Sequence, residues 1–150
     1  MEAFIAQMST SFIDVPNKVA IAIYFAGCSI RCPGCQNKQL WERESGILMN
    51  IESVLQKIEE NNLAESVVFL GGEPTDQIEF LIALCQQIKR HKALYTGREF
   101  EDLPPPLIKE LDMIICGPYR EDLPSEGFPA SRNQRFLIKE GNSWICQTSQ

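Results

Sequence analysis

Hydrophobic residues in this chain fall into short continuous runs that polar or amphipathic segments separate. Residues 19–26 (VAIAIYFA) form an apolar run of eight, and residues 66–70 (SVVFL) form a shorter run. Continuous rather than alternating hydrophobicity is typical of a strand that is buried on both faces, as in a parallel sheet. Similar runs at residues 93–96, 112–116 and 135–139 predict three more strands.

Two weaker patterns predict strands near the ends of the chain. Residues 4–6 form a short apolar group, and residues 143–146 follow a Gly141-Asn142 pair. A two-residue connection of this composition is typical of a β-hairpin. We therefore expect residues 143–146 to pair with the strand at residues 135–139.

Helical periodicity predicts three helices between these strands. Residues 51–61 repeat apolar side chains at i, i+3, i+4 and i+7, and Asn50 before them is a favourable N-cap. Residues 76–91 carry the clearest apolar stripe, and Asp76 imitates the first residue of a capping box. Residues 107–111 predict a shorter helix.

The alternation of strands and helices indicates the fold class. Such alternation favours right-handed βαβ units around a mostly parallel sheet. The units are too few for a closed eight-fold barrel, so we expect an α/β fold with an incomplete, barrel-like sheet. The chain contains no internal repeat, low-complexity tract or linker, and we expect residues 1–150 to form a single domain.

Composition and charge argue against two classes of partner. The chain has 14 Lys and Arg residues against 20 Asp and Glu, a formal net charge of −6. A nucleic-acid binder needs a basic face to release phosphate counterions, so we expect no nucleic-acid partner. No apolar run approaches the ~18 residues of a membrane span, and the N-terminus is a poor signal peptide. We expect a cytoplasmic protein with reduced thiols and no membrane partner.

Three of the six cysteines stand together in the segment GCSIRCPGCQNKQLW. Cys28, Cys32 and Cys35 form a C-x3-C-x2-C array directly after the strand predicted at residues 19–26. Cysteine thiolates are the usual ligands of iron–sulfur clusters, which normally take four. Three thiolates without an obvious fourth resemble a catalytic metal site, in which the vacancy admits a substrate. The array therefore predicts an iron–sulfur cluster with one open iron.

A structural zinc site is the alternative interpretation of the cysteine array. It would recruit His91, Cys116 or Cys146 as a fourth ligand, although zinc sites more often repeat a C-x2-C pair. We expect His91 to end a basic helix tail, where a favourable interaction with the helix dipole explains it. Cys85 lies on the apolar stripe of its helix and is expected to pack in the core.

Glycine-marked turns follow the first three predicted parallel strands. These turns are Gly27-Cys28, Gly71-Gly72-Glu73 and Tyr95-Thr96-Gly97. Ligands of open α/β sheets bind at the carboxyl ends of the strands. We therefore expect the three turns to build one shared site.

The cysteine array and the turn GGEP together resemble the radical S-adenosylmethionine superfamily. CPGCQNKQLW is similar to the C-x2-C-x-N-x3-W pattern of glycyl-radical-enzyme activases, to which Asn37 and Trp41 contribute. The CPGC form, the YTG strand end and the late Asn133-Gln134-Arg135 resemble the activating proteins of anaerobic (class III) ribonucleoside-triphosphate reductases. The resemblance covers about residues 14–138.

This resemblance implies a role for each matching residue. The three clustered cysteines would bind three irons of a [4Fe–4S] cluster, and the fourth iron would chelate S-adenosylmethionine. The turn formed by Gly71, Gly72, Glu73 and Pro74 would hold the methionyl amino group. Thr96 would contact the ribose.

The resemblance also implies a reaction and its partners. A 5′-deoxyadenosyl radical would abstract hydrogen from a glycine of the large catalytic subunit of anaerobic ribonucleotide reductase. An electron donor such as flavodoxin would reduce the cluster. One alternative is a radical enzyme with a different substrate, because Cys116 and Arg132 stand where the reductase activases tend to carry an acidic residue and a serine. The other alternative is a non-catalytic zinc or electron-transfer module.

Overall fold

Eight strands form one open sheet in the computed structural model, which describes residues 1–148. In chain order they are β1 (Glu2–Ser11), β2 (Ala20–Phe25), β3 (Ile47–Asn50), β4 (Ser66–Gly71), β5 (His91–Tyr95), β6 (Met113–Cys116), β7 (Arg135–Glu140) and β8 (Ser143–Cys146). Their order across the sheet is β3-β1-β2-β4-β5-β6-β7-β8. Within residues 1–148 the two edge strands, β3 and β8, do not pair with each other, so the sheet does not close.

The sheet has a parallel centre and antiparallel flanks. Strands β2, β4, β5 and β6 are parallel to one another, whereas β1 and β3 on one side and β7 and β8 on the other pair antiparallel. The predicted α/β class with an incomplete barrel is confirmed. The parallel arrangement itself is limited to the four central strands, because β1, β3, β7 and β8 all pair antiparallel with their neighbours.

Three α-helices connect or flank these strands in the described part of the chain: α1 (Ile51–Glu60), α2 (Ile78–Gln87) and α3 (Pro105–Ile108). The predicted N-cap of α1 is confirmed, because the Asn50 side chain accepts a hydrogen bond of 2.8 Å from the Ser53 amide. A short 3₁₀ helix at Pro74–Gln77 precedes α2. The capping-box prediction for Asp76 was wrong, because its carboxylate binds partners on other loops.

The prediction that the second helix continues to residue 91 was wrong. Helix α2 ends at Gln87, and His91 already begins β5, where it is the parallel partner of Ser66. The His91 Nδ1 atom lies 2.7 Å from the Ser66 hydroxyl, so the interpretation through a helix dipole was also wrong. The chain needs residues 88–90 to turn back and enter the parallel register beside β4.

The antiparallel edge was underestimated from the sequence. Strand β1 is ten residues long instead of the three predicted, and β3 was not predicted. Met49 of β3 is buried, but Ile47 and Leu48 are exposed at the edge of the sheet. A four-residue strand with this mixed burial has no clear period, which explains why it was missed.

The two faces of the sheet have different neighbours. On the helix side, the Phe25 ring packs edge-on against Phe69 and Phe80 at centroid distances of 6.4 and 6.3 Å. On the inner side of the curved sheet, Ala20 and Ala22 contribute only methyl groups to a smaller buried cluster. Both faces of β2 are therefore buried, which accounts for its continuous apolar run.

None of the helices in residues 1–148 is long and apolar enough to cross a membrane.

Candidate functional site

A cavity of about 510 Å³ lies on the inner side of the sheet, at the carboxyl ends of the parallel strands. The predicted glycine-marked turns after β2, β4 and β5 all contribute to its wall. Two backbone hydrogen bonds hold the first two turns together: the Glu73 amide donates to Gly27 O at 2.8 Å, and the Gly72 amide donates to Phe25 O at 3.0 Å. The three turns therefore share one cavity, as expected from their positions after parallel strands.

The structure brings the three clustered cysteines to this cavity. Cys28, Cys32 and Cys35 are half-buried and line its wall. Backbone amides point at two of the sulfur atoms: Arg31 N lies 3.5 Å from Cys28 Sγ, and Asn37 N lies 3.3 Å from Cys35 Sγ. Amide donors of this kind stabilise the negative charge on cluster sulfurs and help to set the reduction potential.

The donor set at the cavity is chemically suited to an iron–sulfur cluster. Burial raises the pKa of the Cys28 and Cys32 thiols above their ordinary value. A metal centre would compensate for this cost, because it binds the deprotonated thiolates. In residues 1–148, no group of three His, Cys, Asp or Glu side chains is already close enough to hold a single metal ion. Ligation by the three cysteines stays a prediction.

Two residues of the predicted activase pattern attach the cysteine loop to its surroundings. The Asn37 side-chain amide donates to Gly71 O at 3.4 Å, which links the loop to the glycine turn. The Trp41 carbonyl accepts a 3.0 Å hydrogen bond from the Cys28 amide, and the Arg31 guanidinium lies 5.6 Å from the Trp41 ring centre. The Trp41 indole nitrogen is buried and has no hydrogen-bond partner among the described residues. Trp41 also lines the cavity.

The glycine turn needs its glycines for steric reasons. Gly71 has a φ of +123°, and a Cβ there would lie 2.5 Å from the Phe25 backbone. A Cβ on Gly72 would overlap the Gly27 carbonyl oxygen. Removing both side chains lets the backbone of this turn approach the cysteine loop closely. The buried Pro74 then starts the 3₁₀ helix, where its missing amide hydrogen costs no hydrogen bond.

The Glu73 carboxylate is buried at the wall of the cavity, with only 2% of the residue exposed. Its Oε2 atom accepts hydrogen bonds from the Thr75 amide (3.2 Å), the Thr75 hydroxyl (2.6 Å) and the Thr96 hydroxyl (2.7 Å). Its Oε1 atom accepts one from the Gly97 amide at 2.8 Å. No Lys, Arg or His among the described residues forms an ion pair with it. Glu73 is therefore hydrogen-bonded but lacks a counter-ion within residues 1–148.

Thr96 lies in the wall of the cavity, as predicted from its position after β5. Its hydroxyl donates to Glu73 and accepts a 3.1 Å hydrogen bond from the Arg98 amide. The structure thus gives Thr96 a contact with the glutamate of the glycine turn. Its predicted contact with a ribose stays a prediction.

The aromatic part of the cavity was not predicted from the sequence. Tyr24 and Tyr95 project from the inner face of the sheet, and Tyr119 and Phe128 come from the loop at residues 118–133. The prolines and glycines of that loop carry no periodic pattern, so its sequence does not indicate that it reaches the cavity. The Phe128 ring packs edge-on against Tyr95 at 6.1 Å and so brings the loop to the cavity.

The fourth ligands considered for a zinc site lie away from the cysteine loop. His91 is at the amino end of β5, and the parallel strands place the cysteines at the opposite end. Cys116 is fully buried in the helix-side core, and Cys146 is exposed on the edge strand β8. The core position predicted for Cys85 is confirmed, and burial raises its pKa to about 12.

Comparison with known proteins identifies similar sequences over most of the chain. Residues 18–137 match the family model of the 4Fe-4S single cluster domain. The anaerobic ribonucleoside-triphosphate reductase-activating protein of Enterobacteria phage T4 is 26% identical over 144 residues, which cover 89% of this chain and 92% of the phage protein. The pyruvate formate-lyase-activating enzyme of Clostridium pasteurianum is 28% identical over 115 residues, which cover 71% of this chain and 48% of that enzyme.

A solved structure has a similar fold. The crystal structure of QueE from Escherichia coli superposes with a TM-score of 0.57 at 22% sequence identity, over 65% of this chain and 53% of that chain. At this identity the likeness supports the α/β architecture alone.

Proposed function

Since the chain belongs to the 4Fe-4S single cluster domain family and is an activating enzyme of the radical S-adenosylmethionine type, we propose that it generates the glycyl radical of an anaerobic ribonucleoside-triphosphate reductase. The substrate in this proposal is the large catalytic subunit of the reductase. The similarity to the activating protein of phage T4 over 89% of this chain supports this choice of substrate.

The observation that carries the proposal is the buried Glu73 carboxylate beside the three cysteines. A buried charge is costly unless it is paired, and hydrogen bonds compensate only part of that cost. Glu73 has hydrogen-bond donors but no counter-ion in the described part of the chain. S-adenosylmethionine carries an ammonium and a sulfonium group, so it would bring positive charge to this wall of the cavity.

Each residue predicted for the site has a proposed role. Cys28, Cys32 and Cys35 would hold three irons of a [4Fe–4S] cluster. The turn from Gly71 to Pro74 would bind the methionyl amino group through backbone carbonyls and Glu73, while Thr96 would lie near the ribose. When bound, the cluster would supply the electron for reductive cleavage of S-adenosylmethionine.

The protein's own contribution is to position the bound molecule and to exclude water. The glycine turn and the cysteine loop are joined by backbone hydrogen bonds, so a ligand between them would be held by a preorganised wall. Tyr95 and Phe128 line the inner side of the cavity with aromatic surface, which would limit access of water to a reactive intermediate.

Three further features belong to this proposal. The reductant would be a small electron-transfer protein such as flavodoxin. A cytoplasmic location fits, because thiols stay reduced there and can assemble a cluster. We also treat residues 1–150 as one domain, because strands from both ends of the described chain join the same sheet.

A different glycyl-radical enzyme is the second candidate target. The similarity to the clostridial pyruvate formate-lyase-activating enzyme over 71% of this chain favours it. Cys116, which motivated this alternative in the sequence, is buried in the core and does not face the cavity.

The test uses anaerobically reconstituted protein with dithionite and S-adenosylmethionine. We expect release of 5′-deoxyadenosine and, after addition of the large reductase subunit, a glycyl doublet in the EPR spectrum. Pyruvate formate-lyase serves as the matched second substrate. Cleavage of S-adenosylmethionine with a doublet on the lyase alone would transfer the function to the second candidate. Absence of both cleavage and an iron–sulfur chromophore would refute the activase proposal.

A further inference from the structure

The carboxylate of Asp76 connects the cysteine loop to the loop after β5. Its two oxygens accept hydrogen bonds from the Ser29 amide (2.7 Å) and the Ser29 hydroxyl (2.8 Å), and Arg98 donates to it at 2.8 Å. Ser29 directly follows Cys28 in the chain. These contacts therefore connect Cys28 to the ion pair between Asp76, which follows β4, and Arg98, which follows β5.

Arg98 donates to three different hydroxyl oxygens. Its guanidinium contacts Thr75 Oγ1 at 3.1 Å and Ser29 Oγ at 3.2 Å, and its backbone amide contacts Thr96 Oγ1 at 3.1 Å. A hydroxyl has only one proton to donate. With Arg98 donating to each oxygen, each hydroxyl donates onward to a carboxylate.

Those carboxylates belong to Asp76 and Glu73. The Ser29 hydroxyl donates to Asp76, while the Thr75 and Thr96 hydroxyls both donate to Oε2 of Glu73. Among the described residues, Oε2 accepts three hydrogen bonds when the Thr75 amide is included, whereas Oε1 accepts only the one from Gly97. An ionised carboxylate has about four acceptor positions, two on each oxygen. Oε1 is thus the atom of Glu73 that keeps acceptor capacity.

We propose that Arg98 is a positioning residue, which acts through the hydroxyls of Ser29, Thr75 and Thr96 to fix the Glu73 carboxylate and the Cys28 loop relative to each other. Oε1 of Glu73 is then the oxygen that accepts a hydrogen bond from the ammonium group of the ligand. The identity of that ligand rests on the proposed function, whereas the orientation of Glu73 rests on the hydrogen bonds described above.

The geometry requires an arginine. Its planar guanidinium offers several donors in a fixed arrangement, whereas the lysine ammonium is a compact point charge. Arg98 uses its Nε atom for Thr75 and a terminal nitrogen for Ser29 and Asp76. Arg98→Lys keeps the positive charge near Asp76 but cannot reproduce both sets of contacts. It therefore separates the positioning role from a general electrostatic effect.

The experiment compares wild-type protein, Arg98→Lys and the control Arg120→Lys, all reconstituted anaerobically. Arg120 pairs with Asp122 at 2.7 Å on the exposed surface, so the control makes the same chemical change outside the site. The measurements are iron and sulfide content, KM and kcat for cleavage of S-adenosylmethionine, and the EPR spectrum of the reduced cluster with and without S-adenosylmethionine.

We expect Arg98→Lys to retain iron and sulfide but to raise KM about tenfold, the range expected for losing a hydrogen bond to a charged group. The change that S-adenosylmethionine makes in the EPR spectrum should require correspondingly higher concentrations. Arg120→Lys should behave as the wild type. A wild-type KM and EPR titration for Arg98→Lys would overturn the positioning role while leaving the proposed function intact. A wild-type protein that neither binds a cluster nor cleaves S-adenosylmethionine would overturn both.

A second pair of variants covers the case in which Arg98→Lys does not fold. Thr75→Val removes the hydroxyl that links Arg98 to Glu73, whereas Thr75→Ser keeps this hydroxyl and removes only the methyl group. We expect Thr75→Val to have a raised KM and Thr75→Ser to have the wild-type KM. Equal KM values for the two variants would contradict the proposal, because a purely steric role of Thr75 would not depend on the hydroxyl.

Discussion

The Tyr95 hydroxyl donates a 2.6 Å hydrogen bond to the carbonyl oxygen of Asp14, although the two residues are 81 positions apart in the chain. Tyr95 ends β5 and lines the cavity, and Asp14 belongs to the turn after β1. Burial, and secondarily the Asp14 carboxylate, raises the pKa of the Tyr95 phenol, so it remains a donor at ordinary pH. This bond attaches the turn after β1 to the wall of the site.

Replacing Tyr95 with phenylalanine should weaken this attachment. We expect the free energy of unfolding to fall by about 1 kcal/mol, because the Asp14 carbonyl loses its partner. Urea denaturation followed by circular dichroism measures the change. Tyr119→Phe is the control, since its hydroxyl has no hydrogen bond within the described residues. Equal loss in both variants would mean that the Tyr95 hydroxyl contributes nothing specific.

Alanine at position 32 should abolish the cluster. Cys32→Ala removes one of three thiolates at the cavity, whereas Cys146→Ala removes an exposed thiol on β8. We expect loss of iron, sulfide and visible absorbance in the first variant only, together with loss of 5′-deoxyadenosine formation. A structural zinc site that used Cys146 would instead respond to both substitutions.

Glutamine at position 73 should weaken binding of the cationic ligand. Glu73→Gln removes the buried negative charge, and its new amide group would face donors that now point at the carboxylate. We expect affinity for S-adenosylmethionine to fall roughly ten- to a hundredfold, as for loss of a charge-assisted hydrogen bond. Titration calorimetry on the cluster-loaded protein measures it. The control is Glu52→Gln on the exposed first turn of α1. Unchanged affinity in Glu73→Gln would remove the basis of the proposed function.

A methyl group at position 72 should disturb the contact between the glycine turn and the start of the cysteine loop. In Gly72→Ala the new Cβ overlaps the Gly27 carbonyl oxygen, and a backbone atom cannot move away as a flexible side chain could. We expect a loss of about 1–3 kcal/mol in unfolding free energy and poorer cluster assembly. Gly127→Ala is the matched control, because nothing lies within 4 Å of its added Cβ. Denaturation curves that coincide for the two variants would argue against close backbone packing.

Acid should remove one surface contribution to stability. Hydrogen bonding to Arg135 lowers the pKa of Glu101 from 4.5 to about 2. Between these values the unfolded chain binds the proton first, so the stabilisation is present above pH 4.5 and is lost as the pH falls toward 2. Glu101→Gln, measured without a cluster, should therefore lose less stability over this interval than the wild type. The difference should be small, because Glu101 is exposed. If stability falls with pH in this variant as it does in the wild type, the ion pair between Glu101 and Arg135 is not formed in solution.

The central strands and the location of the site could be predicted because each depends on local sequence. The run at residues 19–26 signals burial on both faces, and Asn50 caps a helix by accepting a hydrogen bond from an amide only three residues away. The shared position of the glycine-marked turns could be predicted from one rule, which is that the carboxyl ends of parallel strands lie at the same edge of the sheet. In each case the physical signal lies within a few residues of the feature.

Three of the misses have a common cause, which is contact between segments that are distant in the chain. Asp76 resembles a helix cap, but its partners are Ser29 and Arg98, 47 and 22 positions away. The loop at residues 118–133 carries no period that would indicate its contact with Tyr95. His91 continues a helical pattern, yet pairing with β4 decides its conformation. Local propensity cannot anticipate such choices, because tertiary partners determine them.

The alanines on the inner face of the sheet have a consequence for the packing of that face. Ala20, Ala22 and Ala93 are fully buried there, in a cluster with Val15 and Met113. Each contributes only a methyl group, so a bulky aliphatic side chain at any of them would have to displace the side chains that cover it, at a cost of about 1–3 kcal/mol. The inner layer of this sheet is therefore thin, because small residues occupy the positions where two packed layers meet.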